Sequence, residues 1–404
     1  MELRPILSAL MRSKTGALLI AMQVALTLAI LGNALYIVAD RLAIAARPTG
    51  ADEDNTFFFR SYAFREGVDV PAMLDADLAM IRAIPGVEAV ASANMMPLGQ
   101  SGWSLSVQRT LDDPNQRSIG TAFYFTGESL VEALDLQLIE GRDFQEGDRV
   151  ELEQSSATMT TRVAILSRAL AEQLVPGETS WVGRTAHLGD RPFEVVGVVE
   201  RLQSPWGQLG VNGERSMIAA IRTLDPAGQY MVRTEPGQRD RVMREVEAAL
   251  MAARDDRVHL GTTSLEEARG NRYRADRSLA WMLLAVVGLL LLVTASGIVG
   301  MATLWVNQRR KQIGVRRAIG ARRIDILRYF LLENLMVTLA GIAAGVALAI
   351  GLNQLLVAQL EVERLPLALL PMGALGLLVL GQLAAFGPAW RAARIPPAEA
   401  TRSV

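Results

Sequence analysis

Trp305-Val-Asn-Gln-Arg-Arg-Lys-Gln-Ile-Gly-Val-Arg-Arg-Ala-Ile-Gly-Ala-Arg-Arg-Ile-Asp-Ile-Leu-Arg328 holds eight Lys or Arg against one acid, Asp325, and is wedged between two long apolar runs. In a membrane protein a short loop of that charge stays cytoplasmic, because Lys and Arg near span ends set orientation. Working outward, residues 278–306 before it and 334–360 after it carry no charge. Residues 365–390 form a further such run, parted from the last by Glu361-Val-Glu-Arg364. Far upstream, residues 15–39 are also uncharged, about 25 residues or roughly 37 Å of helix, enough to cross ~30 Å of hydrocarbon with some tilt. Four spans at 15–40, 278–306, 334–360 and 365–390 put both termini on the side of the loop, taken as 307–333. The tail 391–404, with Arg391, Arg394 and Arg402 against Glu399, agrees in charge.

Half of the 404 residues are apolar and the mean hydropathy is +0.24, but the excess sits in those four runs. A net charge of −1 disfavours a nucleic-acid binder. Cysteine is absent, which excludes disulfides and thiolate metal sites; His187 and His259 are too few and too far apart for a histidine-rich metal centre. Residues 1–14 carry Arg4, Arg12 and Lys14 with Ile6, Leu7, Leu10 and Met11 at helical spacing, which predicts a cytoplasmic interfacial helix. Ala43-Ile-Ala45 resembles a signal-peptide cleavage site, yet the apolar run before it is longer than an h-region of about 7–15 residues. On either reading the following segment is exported.

Residues 41–277 are polar and punctuated by Pro, Gly and Asp. Helical stripes occur at Met73, Leu74, Leu78, Ile81 and Ile84 and at Val242, Val246, Leu250 and Met251. Val-rich, partly alternating runs at 87–91, 162–166, 193–199, 217–221, 230–233 and 258–262 predict strands. The fold class is therefore an α-helical membrane protein with four transmembrane helices and a large two-lobed α/β extracytoplasmic domain between the first and second spans. The lobe boundaries are expected near 110–120 and 205–215, giving an inner lobe at roughly 115–212. Residues 263–277 are too charged for lipid and are expected to form part of a stalk helix leading into the second span.

Within the runs, Gly341-Ile-Ala-Ala-Gly345 is a small-xxx-small pattern that permits close helix packing or dimerisation. No charged residue occurs inside the runs, which argues against a proton- or sodium-coupled transporter. Four spans make a thin wall for a solute path, so association with a second permease-like chain is expected.

Arg310-Lys-Gln-Ile-Gly-Val-Arg-Arg-Ala-Ile-Gly-Ala-Arg-Arg-Ile-Asp-Ile326 resembles the loop motif of MacB-type and FtsX-type ABC transporter permeases. The stretches at 126–144, 163–171 and 193–199 are similar to recurring segments of that family's periplasmic domain, and the order of one span, an exported domain and three spans matches too. The resemblance implies a coupling helix that docks on a separate ATPase, whose ATP-driven dimerisation moves the periplasmic domain. Carried residue by residue, it makes Gln312, Ile313, Gly314, Val315, Arg316, Arg317, Ala318 and Gly320 the ATPase contact, with Asp325 starting the next helix. Two positions depart from the motif: Gln312 replaces a Glu, and Arg322 stands where a Ser or Thr usually caps the helix, a cap worth about 1 kcal/mol. The resemblance further implies two ATPase copies and an identical or sibling permease in a bacterial inner membrane. An adaptor and an outer-membrane channel are further implied partners.

A Walker A loop needs Gly-Lys-Ser/Thr, whereas the two lysines here follow Ser13 and Arg310. The expectation is a non-catalytic subunit that binds no cofactor, with ATP and Mg on the partner. For the basic loop, the plainer reading is charge that merely retains topology or contacts anionic lipid. The interleaved Ile313, Val315 and Ile319 favour docking, since retention does not need them. An exported hydrolase is disfavoured by the lack of a Gly-x-Ser-x-Gly elbow and of a nucleophile near either His in sequence. The alternative from a third class is an FtsX-like transmitter that regulates a periplasmic cell-wall hydrolase or sensor; an exported segment of about 235 residues is closer to the MacB type.

Overall fold

The computed structural model describes residues 14–111, 118–152, 160–206, 213–360, 366 and 369–396, in two units, 44–275 and the flanking remainder. The expected interfacial helix, except Lys14, and most of the tail after Arg391 lie outside the described residues.

Unit 44–275 is built on two main sheets. The first has strand order β13-β1-β12-β2, formed by β1 (Thr56–Ala63), β2 (Val87–Ser92), β12 (Ala227–Thr234) and β13 (Arg257–Ser264), all antiparallel. Alternation along β1 turns Phe57 and Phe59 to one face and Phe58 to the other. The first face is covered by α2 (Val70–Arg82), whose N-terminus is capped by Asp69, and α5 (Arg239–Ala252), through Leu78, Ile81, Val242, Val246 and Leu250. Beneath them the buried Arg257 guanidinium forks onto Asp77 at 2.7 and 2.9 Å, and the Tyr230 hydroxyl donates to the same carboxylate at 2.6 Å.

The second sheet has order β5-β9-β7-β10-β4-β3-β8, with β3 (Ser104–Gln108), β4 (Ile119–Phe125), β5 (Leu138–Gly141), β7 (Val163–Ser167), β8 (Thr185–Leu188), β9 (Arg191–Val199) and β10 (Ser216–Ala219). It is mixed: β7 runs parallel to β9 and β10 to β4, while the other pairs are antiparallel. Both faces are covered. Val196 and Val199 enter one cluster and Val195 and Val198 the other, which is why β9 reads as a continuous apolar run. Short helices α3 (Leu130–Leu134) and α4 (Arg168–Leu174) are capped by Ser129 and Ser167. Strand β6 (Val150–Leu152) pairs with β11 (Ile221–Thr223) as a separate ribbon.

The expected run 217–221 is therefore broken at Ala220, because β10 and β11 serve different sheets. The chain passes between the two main sheets at 93–103 and around 220–226, so the inner lobe opens and closes about ten residues outside the expected 115–212. Charge and turn residues marked surface loops within that lobe instead. The stalk is also corrected: Ser264 ends β13 and caps α6 (Leu265–Arg272), and a break at the buried Tyr273 separates it from α7 (Arg274–Gln308).

Near that break the segments entering and leaving the unit converge. Arg269 donates to the Ala45 and Arg47 carbonyls and to the Glu53 carboxylate. Gln203 donates to the Tyr273 hydroxyl at 3.1 Å, and Tyr273 packs with Ile44, Ala45 and Leu98.

The other unit holds α1 (Lys14–Ala45), α7, α8 (Arg310–Ala318), α9 (Arg323–Leu360) and α10 (Leu369–Ala393). Helices α1, α7, α9 and α10 are long and apolar enough to cross a membrane. A Cβ on Gly341 would lie 2.7 Å from the Ala21 carbonyl oxygen, and one on Gly345 would lie 2.9 Å from Leu28 Cβ, so the glycine pair seats α9 against α1. Thr27 and Thr294 hydroxyls meet at 2.8 Å, and Asn33 donates to the Ala349 carbonyl at 3.2 Å, tying α1 to α7 and α9. Helix α9 starts at Arg323, eleven residues before the expected span, so the connection from α7 is mostly helical and its irregular part is short.

Candidate coupling site

The turn that follows α8 is set by Gly320 and Asp325. Gly320 adopts φ +105°, a conformation that costs a side chain, and lets the chain close α8 with two bonds: Gly320 N–H to Arg317 O at 3.2 Å and Ala321 N–H to Arg316 O at 3.0 Å. Asp325 accepts from the Arg322 amide at 3.0 Å. That is the reciprocal half of a capping box, so α9 keeps one capped amide although Arg322 has no oxygen to offer the other. The carboxylate also opposes the cation at the helix's positive end.

The inward side of α8 is fastened at several points. Ile313 and Gly314 are buried, Ile313 among Val306, Ile326, Leu327, Phe330, Ala389 and Ala392. Arg317 donates to the Ala393 and Ile395 carbonyls at 3.1 and 3.0 Å, where a cation meets the negative end of α10. At the other end, Arg309 forks onto both oxygens of the fully buried Glu333 at 2.9 and 2.7 Å. A charge-assisted pair so placed holds the turn from α7 into α8 against α9. The Arg316 guanidinium lies 5.1 Å from the Tyr329 ring centre.

The outward side differs. Val315 is 51% exposed and Ile319 82% exposed, and with Ile324 they stand among exposed Lys311, Gln312, Arg316, Arg322 and Arg323. Ala318 and Gly320 are exposed beside them. The nine residues named from sequence are thus brought into one helix–turn–helix, but they divide. Ile313, Gly314 and Arg317 are framework, Asp325 is a cap, and Gln312, Val315, Arg316, Ala318 and Gly320 are surface. Ile319 and Ile324 complete the apolar part of that surface; Ile324, not singled out from sequence, is an apolar side chain between Arg323 and Asp325.

This face combines exposed apolar and basic side chains. Among the described residues no group of three or more His, Asp or Glu is placed to hold a metal ion.

Comparison with known proteins identifies the family of both parts of the chain. Residues 18–249 match the MacB-like periplasmic core domain, and residues 284–397, which contain the basic stretch, match the FtsX-like permease C-terminal model. The pyoverdine export ATP-binding/permease protein PvdT of Pseudomonas putida is 30% identical over 300 residues, 70% of this chain and 43% of that protein. The macrolide export ATP-binding/permease protein MacB of Escherichia coli K12 is 28% identical over 267 residues, 64% of this chain and 41% of its own length. The chain thus spans about two fifths of the curated relatives it matches. Among solved structures, the extracellular domain of the noncanonic ABC-type transporter YknZ aligns over 50% of this chain and 100% of its own length, at 16% identity and a TM-score of 0.32.

Proposed function

The chain belongs to the MacB-like periplasmic core domain family of ABC transporter permeases, and from that premise we propose that it is a permease subunit that turns ATP hydrolysis by a separate ATPase into movement of its exported domain. The observation that carries this reading is the two-sided build of α8. One side is locked to α9 and α10 by Ile313, Arg317 and the Arg309–Glu333 pair, while the other presents Val315 and Ile319 among basic side chains. Charge serving only to retain a loop has no use for such a seat. A face rigidly joined to two apolar helices moves them when it is moved.

In this reading two ATPase copies, carrying ATP and Mg, grip the α8 faces of two permease chains, identical or sibling. The basic loop and both termini are cytoplasmic, and unit 44–275 lies in the periplasm, where its movement drives a peptide, lipid-linked molecule, siderophore or drug outward. The export functions in the names of PvdT and MacB support that substrate class. A periplasmic adaptor and an outer-membrane channel would complete such a system.

The test is affinity purification of the full chain from its native membranes, with identification of any Walker A protein that accompanies it. The exposed pair V315D/I319D is expected to remove the ATPase while leaving the chain inserted and stable. Gly314→Pro should also remove the ATPase by breaking α8, at about 3 kcal/mol of helix stability, with the chain still inserted. Undiminished ATPase recovery with both variants would overturn the assignment.

A further inference from the structure

We infer that the end of α10 carries a binding site for the headgroup of an anionic phospholipid, formed by Trp390, Arg391 and Arg394. Three observations converge there. Met372, Leu375, Val379, Leu383, Phe386 and Trp390 recur every three or four residues and are 65, 63, 47, 69, 48 and 39% exposed, so α10 presents one continuous apolar stripe. From Met372 to Trp390 that stripe is roughly 27 Å long at 1.5 Å per residue, close to the ~30 Å of a hydrocarbon core. The stripe then ends in a stack: Phe386 and Trp390 rings lie parallel with centres 6.0 Å apart, and the Arg394 guanidinium sits 4.8 Å from the Trp390 centre. An indole followed by a guanidinium is the order in which side chains meet the acyl boundary and then the phosphate layer.

Arg317 already satisfies the Ala393 and Ile395 carbonyls, which fixes the helix end and relieves Arg394 of that task. Among the described residues no carboxylate pairs with Arg391 or Arg394, and both side chains are exposed. The amide of Arg394 bonds the carbonyl of Arg391 at 3.1 Å, and the three-residue spacing brings the two side chains to one side of the last turn. Two cations and an aromatic platform at phosphate depth match a headgroup with net negative charge better than a zwitterionic one.

The experiment compares the detergent-purified full chain with R391Q/R394Q, each equilibrated with phosphatidylglycerol, phosphatidylcholine or inorganic phosphate, and counts retained ligand by native mass spectrometry. The wild type is expected to retain phosphatidylglycerol over phosphatidylcholine, with inorganic phosphate failing to displace it. R391Q/R394Q is expected to lose roughly thirtyfold in phosphatidylglycerol affinity, the loss of two interfacial cations. Its elution volume and Tm should stay unchanged. Equal retention of the two lipids, an unaffected double variant, or displacement by inorganic phosphate alone would each overturn the inference. So would L383C dimers forming by disulfide in phosphatidylglycerol bilayers, since the stripe would then face a second copy of the chain. None of these readouts involves an ATPase, so they stand apart from the fate of the coupling assignment.

Discussion

Single residues decide whether the basic stretch is a structured element or a loose loop. Gly320 is exposed with open space around it, so only its φ of +105° restricts the position. Gly320→Val is expected to destabilise the α8 terminus by roughly 1 to 2 kcal/mol, seen as faster amide exchange from Val315 to Ala321. The motif pointed to this glycine, but that it also ends the helix needed the backbone angle. The reverse holds for Asp325: its place at the start of α9 was legible from the motif, while the bond to the Arg322 amide replaces a cap that sequence marked as missing. A further residue-scale prediction concerns Glu53. Burial raises its pKa, but hydrogen bonds from Arg269 and Thr49 outweigh burial and hold it below the ordinary 4.5. A carboxylate depressed in the folded state stabilises above its unfolded pKa and loses that contribution as pH falls through the folded value. Acidification below about pH 4.5 should therefore loosen the Ala45–Glu53 junction, and Glu53→Gln should remove that part of the acid response in a melting series.

Among elements, those with one buried face were the most legible. The stripes of α2 and α5 point to a single sheet, and their period survives in the sequence. Strand β1 was missed because Phe57-Phe-Phe59 feeds two clusters at once and shows no alternation of apolar and polar residues. The boundaries of the inner lobe were missed for a related reason: strands β3 and β10 lie beside the crossings, and nothing in local composition distinguishes a crossing from a turn. In the membrane helices the small-xxx-small pattern was legible, and the structure uses it within the chain, between α9 and α1. Gly345→Leu places side-chain atoms where Leu28 and Ala25 already lie, at 2.9 and 3.0 Å from the first new carbon. It is expected to cost roughly 1 to 3 kcal/mol and to lower the Tm of the detergent-solubilised protein, whereas Gly288→Leu, in open space, should not.

At the scale of the whole molecule, charge and hydropathy conveyed the division into an apolar helical unit and a mixed α/β unit. What they did not convey is how unit 44–275 gathers its own ends. Arg269, Gln203 and Tyr273 join the residues leaving α1, the approach to α7 and the first crossing between the sheets. The most direct measurement uses the absence of cysteine. A single spin label at exposed Asp190, as D190C, reports the distance between the exported units of two permease chains reconstituted with the ATPase in a bilayer. The expected result is a distance distribution that shifts when ATP is added and stays fixed in the V315D/I319D background. An unchanged distribution while a bound ATPase turns over ATP would contradict force transmission through α8.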